Sequence, residues 1–394
     1  MQLTRAILLS VLLPWAATAQ ARELSPAGLD AVREIARGQF DARALNSMVY
    51  ELRIDGVPVM TEAMGEAMAG VPATVDGHFR NGAVALAYVA ALALRLAEEG
   101  QIDLDAPIAR WLPELPGADQ ATIRMLANMT AGYPDHVANE ERFLKPSADD
   151  PFAAWSPREL IAISLSAPRL FAPGTNWDYS HSGYVILGQV LEAATGRSMH
   201  DLMQAYVLDP LGLAGTYGFD TAEIPAPVIQ AFTAERGVWE DATYWNPSWT
   251  LPAGAIQVTT ISDMAGSFDR IVGVDGFLSS ASRAQMIDPL LIGFGSPLPG
   301  CPNCHALTEA FNYGLGAILQ GDWVFQTPSF SGYASAVATL PGERAGNGRV
   351  TIAVAVTYTR ASFEDWSGAL PNAADHALRL IARAVVPENP PPMR

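Results

Sequence analysis

Phe79-Arg80-Asn81-Gly82-Ala83-Val84-Ala85-Leu86 opens the stretch whose reading decides the fold. Residues 81–94 carry no charge, with Arg80 before them and Arg95 after. The run is shorter than the roughly 20 apolar residues a membrane span needs. Because it is rich in alanine, it is read as a buried helix over residues 83–99, stopped by Gly100. Glu98-Glu99-Gly100-Gln101-Ile102-Asp103-Leu104-Asp105-Ala106-Pro107 follows, then Trp111-Leu112-Pro113-Glu114. On the N-terminal side, residues 48–60 alternate as a hairpin does, with Asp55-Gly56 near the turn. On the C-terminal side the middle of the chain is helical and loop-rich, with an apolar helix over 184–195 closed by Gly196. Residues 333–340 and 349–357 read as paired strands joined by a polar turn at 342–348. A helix over 373–385 precedes a Pro-rich tail, 387–394, expected to fray. Strands at both ends with helices between them predict one sheet assembled from distant segments.

The composition narrows the function. With 49% hydrophobic and 16% charged residues among 394, the chain can bury a large core and is not a disordered segment. Two cysteines exclude a small disulfide scaffold, and a net charge of −17 argues against nucleic acid as a partner. Lys145 is the chain's single lysine, so 23 of the 24 basic residues are arginine. Residues 1–19 read as a signal peptide: Arg5, an apolar stretch over 6–16, and Ala17-Thr18-Ala19 as a small-x-small cleavage site. The mature protein is therefore expected to be periplasmic or secreted, with no membrane span after cleavage.

These phrases resemble the serine β-lactamase and penicillin-binding-protein superfamily, in particular the class C β-lactamase-related serine hydrolases. Phe79-Arg80-Asn81-Gly82 is similar to the lead-in to that family's nucleophile helix. Pro173-Gly174-Thr175 and Tyr179-Ser180 are similar to the approach to its second motif, and Gly183-Tyr184 with Leu187-Gly188 to the helix behind it. Asp209-Pro210-Leu211-Gly212-Leu213, Ala253-Gly254 and Asp263 fit landmarks further on. The resemblance runs from Met48 to Val385. It implies an α/β (α+β) fold of β-lactamase/transpeptidase type: an antiparallel sheet flanked by helices, plus an inserted helical lobe. The implied domain spans 38–386, with an α/β lobe at 38–75 and 305–386, a helical lobe at 76–304, and the ligand cleft between them.

The family's chemistry is an acyl-serine formed with the help of a lysine at i+3, a tyrosine in a second motif and a Lys or His in a third. Two backbone N–H groups hold the oxyanion. Here the serine position is Ala83 and the lysine position is Leu86. No shift of alignment restores them, because there is no serine between Ser47 and Ser147 and no lysine before Lys145. The second motif reads Tyr179-Ser180-His181, keeping the tyrosine but placing histidine where asparagine is usual. The third reads Gln326-Thr327-Pro328, without the cation and with proline for glycine, a change tolerated on an edge strand. His-Thr-Ser-Gly, found in many relatives, has become Met129-Thr130-Ala131-Gly132.

The first expectation is accordingly a catalytically inactive homologue. It would act as a binding protein for a cell-wall peptide, another D-amino-acid compound or a protein partner. The alternative is a hydrolase (esterase, D-aminopeptidase or β-lactamase-like) in which Tyr179 and His181 activate a water and the N–H groups of Ala83 and Ser329 form the oxyanion hole. Ser180, Ser329 and Ser331 are conceivable nucleophiles, none with a base at a fixed spacing. Cys301-Pro302-Asn303-Cys304-His305 reads as a loop disulfide, with c-type haem attachment through the two cysteines and His305 as an alternative, and a redox or metal role as a third reading. His78, His136, His200 and His376 show no metal-ligand spacing, and no other cofactor is implied.

Overall fold

A computed structural model describes residues 22–218, 221–364 and 372–393, so the expected signal peptide lies outside the described residues. The chain begins with α1 (Pro26–Ala42), then β1 (Leu45–Ile54), β2 (Val57–Met68) and a short β3 (Val71–Pro72). The helical middle includes α2 (Val84–Glu98), α3 (His181–Thr195) and α4 (Ile261–Val272). Strands β4 (Asn312–Tyr313), β5 (Ile318–Gln320), β6 (Trp323–Gln326), β7 (Ser329–Phe330), β8 (Tyr333–Leu340) and β9 (Val350–Tyr358) follow. Helix α5 (Ala373–Val385) comes last. Among the described residues, no helix is long and apolar enough to cross a membrane.

The sheet is antiparallel in the order β3-β2-β1-β9-β8-β6-β5-β4, with β7 also on β8. Asp55 and Gly56 turn β1 into β2 with φ of 50° and 82°, the two positive values a two-residue hairpin loop of this kind needs. Pairing of β1 with β9 joins the first strand to the last, which assembles the sheet from distant segments as the sequence predicts. Every residue of β8 and β9 is buried, so both faces are covered. Helices α1 and α5 pack together with α5 on β8 and β9, while α4 packs on β1, β8 and β9. Asp269 of α4 binds the Arg349 guanidinium at 2.9 and 2.8 Å and accepts from Thr351 at 2.6 Å, tying that helix to β9. Helix α2 has twelve of its fifteen residues buried, which is why its sequence shows no polar face.

Three expectations are corrected. The 342–348 turn contains a helical turn, Gly342–Ala345, before Gly346 and Gly348 reverse the chain at positive φ. The segment 140–150 around Lys145, which reads as a loop with Pro146 in it, is helical instead (Glu140–Leu144, then Lys145–Asp149). The tail is tied down rather than frayed: Asn389 O accepts from Trp323 Nε1 at 2.9 Å and Pro392 O from Arg379 at 2.6 Å.

Proline at 328 is accommodated by a substitute donor. Strands β6 and β7 keep one register against β8, so Pro328 lies opposite Ser335 at a hydrogen-bonded pair, where Ser335 N donates to Pro328 O at 3.0 Å. The return bond needs an N–H that proline lacks. The Asn372 amide supplies it, reaching Ser335 O at 3.1 Å, Pro328 O at 2.8 Å and Thr327 O at 3.1 Å. Its oxygen caps α5 through Asp375 N at 2.9 Å. Only beyond Gln326, where β5 has ended, is this strand an edge. Asn372→Ala loses the cap and leaves Ser335 O unpaired, and should destabilise the protein by about 2–4 kcal/mol. Urea unfolding at constant m-value checks this; a loss below about 0.5 kcal/mol would contradict it.

Candidate functional site

The N-terminus of α2 is fixed by a reciprocal amide pair. Asn81 N donates to Gln257 O at 3.1 Å and its Nδ2 to Gln257 Oε1 at 2.7 Å; Gln257 N returns a bond to Asn81 Oδ1 at 3.0 Å. Both residues are fully buried. Gly82 then takes φ 54°, and a Cβ there would stand 2.8 Å from Pro328 Cβ, so glycine is required on both counts. This sets Ala83, at the head of α2, against the strand that carries Ser329.

Ala83, His181 and Ser329 line one small cavity with Gly82, Trp249, Thr250, Leu251, Ile256 and Phe330. Its volume is about 30 Å³, room for a water or two. Trp249 and Phe330 are stacked beside it, with centroids 5.8 Å apart and planes 8° apart. Ser329 lies opposite Ala334 at a non-hydrogen-bonded pair, so its N–H points away from β8. Leu86 is fully buried. Gln326 does not face the cleft: it is buried, and its amide donates to Gly316 O at 2.7 Å.

The second motif departs from the sequence reading at its start. Ser180 caps α3 by accepting from Gly183 N at 3.2 Å while donating to Tyr133 O at 3.0 Å, which removes it as a nucleophile. Helix α3 therefore begins at His181, three residues before the apolar run that marks it in the sequence.

His181 has a partner that sequence reasoning missed. Its Nδ1 lies 2.8 Å from Asp135 Oδ2, so the ring is oriented with Nε2 as its remaining nitrogen. Burial alone would raise the Asp135 pKa, but His181, His136 and the Val137 N–H together hold it below the usual carboxylate range. Tyr179 packs edge-on against His181 at 5.2 Å; burial, with the Asp135 charge, pushes its hydroxyl well above the usual tyrosine value. That direction opposes a role as a phenolate base.

His136, adjacent to Asp135, is fully buried. Its Nε2 donates to Trp249 O at 2.7 Å, and its Nδ1 lies 2.9 Å from Ser182 Oγ. One dipeptide thus positions both His181 and Trp249. The only signal in the sequence for Asp135 was indirect, namely a histidine at a motif position that needed a carboxylate to orient it.

Beyond Trp249 lies a larger cavity of about 420 Å³, with Phe143, Trp155, Trp245 and Trp249 among its walls and Lys145 and Arg236 at its rim. That is within the usual size of a small-molecule site. Lys145 is thus placed far from the i+3 position, paired with Glu141. Cys301 and Cys304 form a disulfide, and Cys301 Sγ lies 3.4 Å from Asp178 Oδ1, one residue before Tyr179.

The family description Beta-lactamase matches residues 32–378. The chain belongs to the Beta-lactamase family. It is 23% identical to Penicillin-binding protein 4* of Bacillus subtilis (strain 168) over 267 residues, 63% of this chain and 54% of that protein. With Esterase EstB of Burkholderia gladioli it shares 33% over 172 residues, 41% of this chain and 43% of the other. The chain therefore spans about half the length of these curated relatives. Among solved structures, D-amino acid amidase from Ochrobactrum anthropi SV3 superposes with a TM-score of 0.72 at 22% identity, covering 91% of this chain and 99% of that one. D-stereospecific amidohydrolase from Streptomyces sp. gives 0.68 at 22%, covering 86% and 99%. These likenesses establish the β-lactamase/transpeptidase-type fold.

The buried His136 makes stability depend on pH. Burial pushes its pKa from 6.5 down to about 4. A group depressed on folding contributes stability that is present above about pH 6.5 and is lost as pH falls toward 4, here by as much as about 3 kcal/mol. In an NMR titration, His136 should keep its neutral Nε2–H tautomer down to about pH 5. Protonation near pH 6.5 would contradict this burial.

Proposed function

We propose that this protein is an exported, non-acylating binding protein. Its ligand would be a small D-amino-acid compound or cell-wall peptide fragment, held in the aromatic-walled cavity beside the former nucleophile position. One observation carries the proposal: alanine heads α2 and a buried leucine follows at i+3, over a cavity of about 30 Å³. Nucleophile and base act as a unit, so losing both removes the acyl-serine route. The 420 Å³ cavity supports binding, and its aromatic walls suit an apolar side chain. The likeness to a D-amino acid amidase and a D-stereospecific amidohydrolase supports the ligand class. The amino-terminal segment supports export.

A second reading is favoured by the Asp135–His181 pair. An imidazole oriented by a carboxylate is a general base, and it faces a water-sized cavity shared with Ala83 and Ser329. Direct attack by water would then hydrolyse an ester or amide without an acyl-enzyme.

The experiment uses D- and L-phenylalanine amide and short p-nitrophenyl esters. Binding without turnover is expected to raise Tm by several degrees at ligand concentrations about a hundredfold above Kd. Ligand should also slow acylation of Lys145, the chain's only side-chain amine, and Trp155→Ala should weaken both effects about tenfold. Turnover that falls about 10²–10⁴-fold in His181→Gln would establish the second reading instead. Absence of both binding and turnover would overturn the ligand class.

A further inference from the structure

The loop that holds Cys301 and Cys304 docks on the segment leading into the second motif. Asn176 clamps it, accepting from Ser296 N and donating to Ser296 O, both at 3.0 Å. His305 lies edge-on to Trp177 at 5.3 Å. Between these contacts Asp178 is buried, 5% exposed, with its Oδ1 3.4 Å from Cys301 Sγ. A disulfide sulfur has no proton to donate, so this contact does not satisfy the carboxylate. The Asn303 side chain is its partner within the loop. Burial first, then the Asp135 charge, raises the Asp178 pKa to about 6, against the Asn303 hydrogen bond. The cysteines are buried too, Cys301 at 3% and Cys304 at 5%, while Pro302 and Asn303 between them are exposed. A buried acid whose partner is the Asn303 side chain, touching one sulfur of a Cys-x-x-Cys disulfide, has no role in the cleft chemistry described above. Its geometry fits the reduced state, in which a Cys301 thiol has a proton to share with it.

We propose that Cys301-Pro302-Asn303-Cys304 is a thiol–disulfide exchange site that accepts electrons from a dithiol, with Asp178 as the proton donor to Cys301. A thiolate of the dithiol attacks Cys304 Sγ. The S–S bond breaks, its electron pair stays on Cys301, and the Asp178 carboxyl protonates that sulfur. The second thiol of the reductant then attacks its own sulfur in the mixed disulfide, releasing Cys304, which takes a proton from water. The protein disulfide is reduced to two thiols and the dithiol is oxidised to a disulfide. Asp178 is restored by water. Asp135 is the charged group acting on Asp178, and His305, bonded to Asn303 O at 2.6 Å, is the titratable group on the loop.

The test is reduction of the native protein by dithiothreitol without denaturant, followed by alkylation and intact mass. Two alkyl groups are expected, with the circular dichroism spectrum unchanged. Divided by the thiolate fraction of the reagent, the rate should fall about tenfold as pH rises through about 6 to 7. Asp178→Asn should flatten that profile. Cysteines that react only at urea concentrations that unfold the chain would overturn the proposal, as would a wild-type profile already flat. A profile that the variant leaves unchanged would remove Asp178 from the site.

Discussion

The reciprocal bonding of Asn81 and Gln257 is the constraint on which the site depends. Three hydrogen bonds between two fully buried residues fix where α2 starts, and they do so with backbone and amide groups alone. No catalytic residue is needed for that geometry. Once the helix start is set, Gly82 must pass Pro328 closely, and Ala83 and Ser329 line one cavity. A buried amide pair of this kind is costly to break in part, because each unpaired group would be left without water. The start of α2 is therefore held in place without a serine at 83 or a lysine at 86.

The changes around that frame are mutually compatible. Proline at 328 removes a ladder donor, and Asn372 replaces it while capping α5. Without a cation in the third motif, Gln326 turns inward to a backbone carbonyl. Where the second motif gains a histidine, Asp135 orients it, and His136 beside it anchors Trp249. At each of these positions the neighbouring groups stay hydrogen-bonded, and that is why such residues are compatible with the fold.

The strands and the closing helix were legible because their signals are local. The runs at 333–340 and 350–358 are apolar at nearly every position, Asp55-Gly56 dictates its own turn, and the 373–385 helix matches its apolar period. The absence of a serine between Ser47 and Ser147 and of a lysine before Lys145 needs only counting. What the sequence hid was partnership across distance. Asp135 meets His181 46 residues away, Trp249 stacks on Phe330, and Asn372 serves a strand more than forty residues earlier. The tail looked loose because prolines dominate it, yet its carbonyls are acceptors for Trp323 and Arg379. None of these pairs leaves a periodicity or a motif, because each joins segments that are distant in the chain and meet only in the fold.

The most direct measurement is the intact mass of the wild-type protein after exposure to a fluorescent penicillin and to a fluorophosphonate. A frame with alanine at the nucleophile position and no lysine behind it should show no covalent adduct with either reagent after hours at neutral pH. A stoichiometric adduct mapped to any serine, Ser329 above all, would contradict the claim that acyl-enzyme chemistry has left this fold.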